Sequence, residues 1–254
     1  MMSVALTSTW QPHNELPRLQ RLHPALMRMF ESITIVLPPT AGDMLVATLS
    51  ALDGVYPVVT QTWPRGRHVA LNEALKRPAS HLLYCDLDRL IRWAELHPDE
   101  LAATVERVEA VDCLVVGRTE RALMTHPRCL RETEQIANEV FAHVTGLRYD
   151  RCVATRGFSH EAAMHALKTS QAENSLGVDG EWIVLCQQAG MSLDTVAVEG
   201  MDWETADQLL DHAADAETQR RAAEAFDAEI SNWAGRVRVA QAIISGMLGV
   251  AGKS

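Results

Sequence analysis

The chain has 254 residues, 47% of them hydrophobic and 22% charged, and its 23 Lys and Arg against 33 Asp and Glu give a formal charge of −10. A chain of this size can hold a core without disulfides or metal staples, and its composition excludes a disordered, collagen-like or coiled-coil rod. The acidic balance and the lack of a basic stripe exclude nucleic acid as the main partner, since phosphate backbones demand clustered Lys and Arg; a phosphorylated ligand calls for a divalent cation between it and so acidic a protein.

Residues 4–10 read as a short buried strand ending in hydroxyls. Residues 15–30 carry Leu16, Leu19, Leu22, Leu26 and Met29 at helical spacing. Residues 32–37 are β-branched and are stopped by Pro38 and Pro39. A helix over 43–52, a strand over 56–63, a helix over 68–76 and a strand over 80–85 follow. This alternation predicts a parallel sheet with crossover helices. A helix is expected from Pro98 to about Val108, with the proline in its first turn beside Asp99 and Glu100. A strand over 112–117, a helix over 131–144 and an irregular stretch over 146–157 come next. Helices over 159–167 and 180–189 lead to a stop at Gly190 and a strand over 192–198. From Glu204 the chain is rich in Ala, Glu and Asp and reads as two or three helices. With no internal repeat, the expectation is one α/β domain over 1–203 with a helical extension over 204–254 packed on it.

Cys85, Cys113, Cys129, Cys152 and Cys186 are scattered, odd in number and without CxxC spacing. They read as reduced, mostly buried thiols of a cytoplasmic protein. Residues 1–10 lack the basic and long apolar regions of a secretory signal. The apolar stretch 239–251 is broken by Gln241 and two glycines and is too short for a membrane span.

The strongest local feature is Tyr84-Cys85-Asp86-Leu87-Asp88-Arg89. At a strand end alternate side chains point the same way, so Asp86 and Asp88 can share one target. Two hard anionic oxygens at the C-terminal edge of a sheet are a seat for Mg²⁺ or Mn²⁺, and ligands of open α/β sheets collect at that edge. A solvated loop with two acids is the plainer alternative.

Upstream runs Gly66-Arg-His-Val-Ala70-Leu-Asn72-Glu-Ala74-Leu75, then an apolar strand, then Asp86-Leu87-Asp88. This order resembles the nucleotide-sugar half of GT-A fold glycosyltransferases, those of family 2 above all, over about residues 4–200. The resemblance implies a GT-A-like, mostly parallel α/β sheet flanked by helices and a sugar moved from a nucleoside-diphosphate donor to an acceptor hydroxyl. It also implies that Asp86 and Asp88 hold the metal ion on the donor diphosphate. It places Thr7, Thr9, Trp10, Gly66, Arg67, Asn72, Asp86 and Arg156 at the donor, with Trp10 able to stack on the base, or simply to pack, and Arg156 able to bind a phosphate or an anionic acceptor, or to be a surface residue before a helix capped by Ser159. The block Gly177-Val-Asp179-Gly-Glu181-Trp182, followed by Gly190 and a strand, resembles the acceptor side of the family. There Asp179 or Glu181 would act as general base on the acceptor hydroxyl; for Asp179 a plain helix N-cap is the alternative.

The sequence departs from the family after the second strand. Leu37-Pro38-Pro39-Thr40 replaces the usual acidic pair, so the sequence does not distinguish a uridine from a guanosine donor. His160 and His165 are five apart and cannot share a helical face as zinc ligands do. A catalytically degenerate GT-A module that binds a nucleotide sugar or a partner protein is the rival reading. A haloacid-dehalogenase-type phosphatase built on Asp86 and Asp88 is a more distant one, because Arg89-Leu90 stands where Gly-Thr is expected. The apolar positions Trp233, Val237, Val239, Ile243, Ile244, Met247 and Leu248 can form a helix face that packs within the chain, in a homodimer or on a membrane surface.

Overall fold

The computed structural model describes residues 3–151 and 153–252; Met1 and Met2, at the head of the segment tested for a leader, and Cys152 lie outside them, as do Lys253 and Ser254. Strand β1 (Val4–Thr9) leads through α1 (Leu16–Met29) to β2 (Ile33–Leu37), and through α2 (Asp43–Ser50) to β3 (Val55–Val59). A 3-10 turn at Trp63–Arg65 and α3 (Gly66–Ala74) lead to β4 (His81–Tyr84). Helices α4 (Leu87–Leu96) and α5 (Pro98–Val108) precede β5 (Cys113–Arg118), and α6 (Glu120–Thr125) and α7 (Arg128–Thr145) precede β6 (Arg156–Ser159). Then come α8 (His160–Thr169), α9 (Val178–Gln188), β7 (Leu193–Val198), 3-10 turns at Glu199–Met201 and Glu204–Asp207, α10 (Ala216–Ala228) and α11 (Ile230–Val250).

The strands form one sheet in the order β3-β2-β1-β4-β6-β5-β7. All neighbours pair parallel except β6, which runs antiparallel to both β4 and β5. The chain builds outward from β1 to β3, then returns to place β4 on the other side of β1. That reversal opens a crevice beyond the carboxyl ends of β1 and β4.

Two differences from the sequence expectation bear on the site. Residues 156–159, read as the end of an irregular stretch and the start of a helix, are strand β6. Four residues with a glycine carry no strand pattern of their own, and pairing with Tyr84 on one side and Val115 on the other imposes it. Gly157 is needed there because a Cβ would lie 2.7 Å from Val108 Cγ2. Residues 87–96, read only as the sequel of an acidic motif, are α4, with Leu87, Leu90, Ile91 and Ala94 buried along one stripe.

Each sheet face carries its own core. One packs Leu6, Ile35, Leu83, Leu90 and Trp93; the other packs Phe141, Phe158, Trp182, Ile243 and Met247. Helix α11 thus closes the second face, leaving Val237 and Leu248 exposed. Among the described residues no helix is long and apolar enough to cross a membrane. Cys85, Cys113, Cys129 and Cys186 are buried and unbonded.

The segment after β7 is anchored by a buried ionic network. Arg92 on α4 donates to both Asp202 oxygens at 2.6 and 2.9 Å and to Asp207 Oδ1 at 2.7 Å. Arg18 on α1 reaches the other Asp207 oxygen at 3.0 Å. Next to it Gly200 lies so close to the buried Trp93 ring that a Cβ would fall 1.7 Å from it. The indole cannot yield, because its N–H donates to Glu100 at 2.9 Å. Gly200→Ala is therefore expected to cost at least about 2 kcal/mol of stability, as overpacking of a rigid core does; urea denaturation checks it.

Candidate functional site

Strand β4 ends at Tyr84, and Asp86 stands just before α4 in the crevice. Tyr84 is buried; its hydroxyl lies 2.7 Å from Thr9 Oγ1 at the end of β1. Both hydroxyls are in hydrogen-bond range of Asp86 Oδ1, at 2.5 and 3.0 Å. The other Asp86 oxygen accepts from Arg67 Nη2 at 3.0 Å. Arg67, in the first turn of α3, also donates through Nη1 to Asp179 Oδ1 at 2.5 Å and to the Ser175 carbonyl at 3.0 Å, and through Nε to Tyr84 at 3.1 Å. One guanidinium thus joins the carboxylate after β4 to the carboxylate that opens α9.

The charges respond to this arrangement. Burial pushes the Asp86 carboxyl up, but Arg67, Arg89 and the two hydroxyls outweigh it and hold it below the usual range. At Asp179 burial prevails over Arg67 and Arg156, and the carboxyl rises. Asp88, in the first turn of α4, is pushed up to about 7 by burial, then by Glu204 and Asp86. Its Oδ1 accepts the Arg89 N–H at 2.8 Å. Arg89 in turn donates to Glu204 Oε1 at 2.9 Å and to the Val153 carbonyl at 2.5 Å.

Two hollows meet at Arg67. A cleft of about 350 Å³ is lined by Thr9, Trp63, Gly66, Arg67 and Ser175 among others. A cavity of about 230 Å³ lies on the other side, with Arg67, Asp86, Asp179 and Glu204 in its wall. The structure therefore brings Thr9, Gly66, Arg67, Asp86 and Asp179 together, with Asp88 one residue from Arg89.

The other candidates lie elsewhere. Thr7 is fully buried and donates to the Ala70 carbonyl at 2.8 Å, tying β1 to α3. Trp10 is 2% exposed in the core with its N–H on Glu15, so packing rather than a base occupies its ring. Asn72 faces outward beside Lys76 and Glu161, in a separate groove between α3 and α8. Arg156 is 2% exposed on β6 and donates to the carbonyls of Arg151, Thr155 and Asp179, which places it beneath the site rather than in it. Glu181 is fully buried, and its carboxylate accepts from Ser170 Oγ and from the Gln171 and Ala172 amides at 2.5, 2.5 and 2.9 Å. It organises the turn after α8 and lines a separate hollow of about 570 Å³ with Asn174, Arg238 and Gln241, away from Arg67 and Asp86.

Several site residues carry no local signal of their role. Trp63 read as the end of a strand; it is a partly exposed side of the cleft. Glu204 read as the start of the helical extension; the 3-10 turn held by Arg92 delivers it to the cavity. Arg89 follows the acidic pair directly, and only its sequence position pointed to it.

Among the described residues no group of three His, Cys, Asp or Glu side chains is placed to hold a metal ion. Mg²⁺ is commonly held by one or two carboxylates plus substrate phosphates, not by an all-protein cage. Asp86 and Asp88 are donors of that kind; burial is the larger cause of the rise at Asp88, and the negative charge of Glu204 and Asp86 that adds to it fits a cation beside it.

No protein-family model matches the chain, and no curated protein matches it. Solved structures do. Glucosyl-3-phosphoglycerate synthase from Mycobacterium tuberculosis, in complex with Mn²⁺, uridine diphosphate and phosphoglyceric acid, matches with a TM-score of 0.63 at 10% identity, over 99% of this chain and 79% of that one. The same synthase with Mn²⁺, UDP-glucose and phosphoglyceric acid gives 0.57 at 9% identity, over 99% and 80%. The chain spans only 54% of the bifunctional IspDF from Campylobacter jejuni, which covers 83% of this chain at 9% identity with a TM-score of 0.47. The two synthase structures establish the fold: the sheet and its helices are GT-A-like, as the resemblance implied.

The saturated carboxylate of Glu181 yields a prediction. Glu181→Ala strands two backbone N–H groups and is expected to cost about 3 kcal/mol of stability, since hydrogen bonds to a charged group are worth about 1.5–3 kcal/mol each. Chemical denaturation measures it; unchanged stability with lost activity would instead return Glu181 to a catalytic role.

Proposed function

We propose that this chain is a divalent-cation-dependent glycosyltransferase that takes its sugar from a nucleoside diphosphate. The observation that carries the reading is the convergence of Thr9, Arg67, Tyr84 and Asp86 at the crevice of a GT-A-like sheet, between two hollows that share Arg67. The neighbouring synthase is described with Mn²⁺ and uridine diphosphate or UDP-glucose, and a ligand of that class suits this crevice.

In this reading the cleft takes the donor. Trp63 offers a ring for the base. At Gly66 a Cβ would already sit 3.3 Å from Thr9 Cγ2, so glycine keeps the backbone near the ligand. Asp86 and Asp88 would hold Mg²⁺ or Mn²⁺, and the ion would neutralise charge building on the leaving diphosphate. The acceptor occupies the smaller cavity. Its hydroxyl oxygen bonds to the anomeric carbon as the nucleotide oxygen leaves, and its proton passes to a carboxylate. Asp179 is the carboxylate assigned to that step, since it lines the same cavity and burial raises its basicity. Arg67 keeps this base and the cation seat at a fixed separation.

A nucleotide-sugar-binding module without turnover is favoured by one observation. Asp86 and Asp179 are both engaged by Arg67, so ion and proton compete with a guanidinium already in place. Transfer or hydrolysis of a nucleotide sugar excludes that reading.

The test is a thermal-shift titration of the full chain with UDP and with GDP, each with Mn²⁺ or EDTA. A ligand selective for the folded state raises the Tm by mass action. One nucleotide is expected to do so only with metal; no shift with either overturns the reading. A second prediction follows from Asp88. Its carboxyl is raised to about 7 from about 3.9 in an unfolded chain. Its stabilising contribution is thus full below about pH 4 and lost as pH rises through about 7. At pH 8 Asp88→Asn removes a buried charge, so it is expected to raise the Tm of the metal-free protein and to abolish the metal-dependent nucleotide shift.

A further inference from the structure

Asp86 is one of the two residues that would hold the cation, yet three donors already stand on it. A carboxylate oxygen offers two lone-pair sites. At Oδ1 the Tyr84 and Thr9 hydroxyls fill both, at 2.5 and 3.0 Å. The side left to an ion is Oδ2, and Arg67 Nη2 occupies it at 3.0 Å. A guanidinium is always charged. The seat for a cation is therefore faced by a cation that belongs to the chain, and the two repel at this range. The side chains of Arg67 and Asp86 are 12% and 21% exposed, shielded from water but open to an arriving ion.

The corners of the Arg67 guanidinium differ in what they hold. Nη1 donates to Asp179 Oδ1 at 2.5 Å and to the Ser175 carbonyl at 3.0 Å, and Nε donates to the Tyr84 hydroxyl at 3.1 Å. Nη2 has Asp86 as its partner. Three contacts thus anchor the side chain while the Nη2 corner can change hands. Arg67 also lines the larger cleft assigned to the donor. Phosphate oxygens there are acceptors that a guanidinium fork fits well. Arg89 is no rival for this part, because its guanidinium is spent on Glu204 and the Val153 carbonyl.

We propose that Arg67 is an internal stand-in for the metal ion: in the free protein it closes the seat on Asp86, and it passes its Nη2 corner to the donor's phosphates when a divalent cation takes its place. The proposal rests on the glycosyltransferase reading above. Charge balance favours the exchange. A cation alone strips Nη2 from Asp86 and leaves it without an anion, and a nucleotide alone finds Nη2 engaged. When both arrive, Asp86 keeps a cation and Nη2 keeps an anion, so no desolvated charge loses its partner. The Tyr84 hydroxyl, bonded to both Arg67 Nε and Asp86 Oδ1, holds the two side chains together throughout. Metal and nucleotide therefore raise each other's affinity by the same factor, and Arg67 carries part of that coupling.

The test reads Mn²⁺ binding to the full chain by electron paramagnetic resonance, without nucleotide, with uridine and with UDP. In the unaltered protein Mn²⁺ alone is expected to bind weakly, and UDP but not uridine is expected to tighten it at least about tenfold. Arg67→Met frees Asp86 Oδ2. It is expected to tighten Mn²⁺ alone at least about tenfold, the scale of a hydrogen bond to a charged group, and to shrink the effect of UDP by a similar factor. Two buried carboxylates lose a partner in that variant, so Arg67→Met/Asp179→Asn is measured beside it, with folding checked by circular dichroism. The double variant removes one positive and one negative charge, so tightening there comes from the freed Asp86 and not from net charge. Mn²⁺ that binds the double variant no more tightly than the unaltered protein overturns the proposal, and so does uridine that promotes Mn²⁺ as well as UDP does. If UDP still tightens Mn²⁺ in the unaltered protein, the first of these failures leaves the donor reading standing. Mn²⁺ that binds neither protein, with or without UDP, sinks the metal-dependent reading and this proposal with it.

Discussion

A single guanidinium holds the crevice together. Arg67 leaves the first turn of α3 and spans from Asp86, after the central strand β4, to Asp179, at the start of α9. Breaking one partner out of such a buried group is costly, because the remaining charge stays desolvated. The position of α3 under the crevice, the opening of α9 over it and the direction of the Asp86 carboxylate are therefore set together. Tyr84 and Thr9 complete the constraint by tying the ends of two neighbouring strands to the same carboxylate.

A second ionic cluster does comparable work away from the chemistry. Arg92 and Arg18, on helices at the first core, grip Asp202 and Asp207 in a segment with little regular structure. Irregular chain seldom crosses an interior, since its backbone groups need partners. Here side-chain carboxylates take the place of a ladder and bring Trp203 and Glu204 to the cavity wall. The acidic excess of the chain is thus partly structural, and Glu181, committed to three hydrogen bonds behind α9, is another instance.

Much of the architecture was legible in the sequence because each parallel strand and its crossover helix carry their own apolar period. Residues 4–9, 33–37, 81–84 and 193–198 showed themselves in this way, and the paired acids after the fourth strand pointed to the crevice. What escaped was what depends on partners. Strand β6 has no pattern beyond its two neighbours, and Glu204 reaches the cavity only because Arg92 and Arg18 hold the segment beside it. Trp10 and Trp63 are the same residue type near the same crevice; one is sealed by the core and the other flanks the cleft, a distinction set by packing that no local pattern records. Arg156 likewise lies beneath the site because β6 is a strand.

The antiparallel strand has a consequence for biosynthesis. Strands β2 to β4 can join the sheet as soon as they leave the ribosome, since each pairs with a neighbour made earlier. The free side of β4 has no such neighbour. Its partner is β6, and β6 must in turn bridge to β5, so the central edge of the half-built sheet stays open until both have been made. An open edge of that kind is a template for mispairing with another nascent chain. The four residues of β6 act as a keystone: short, late and held from both sides, they convert two separate strand groups into one sheet.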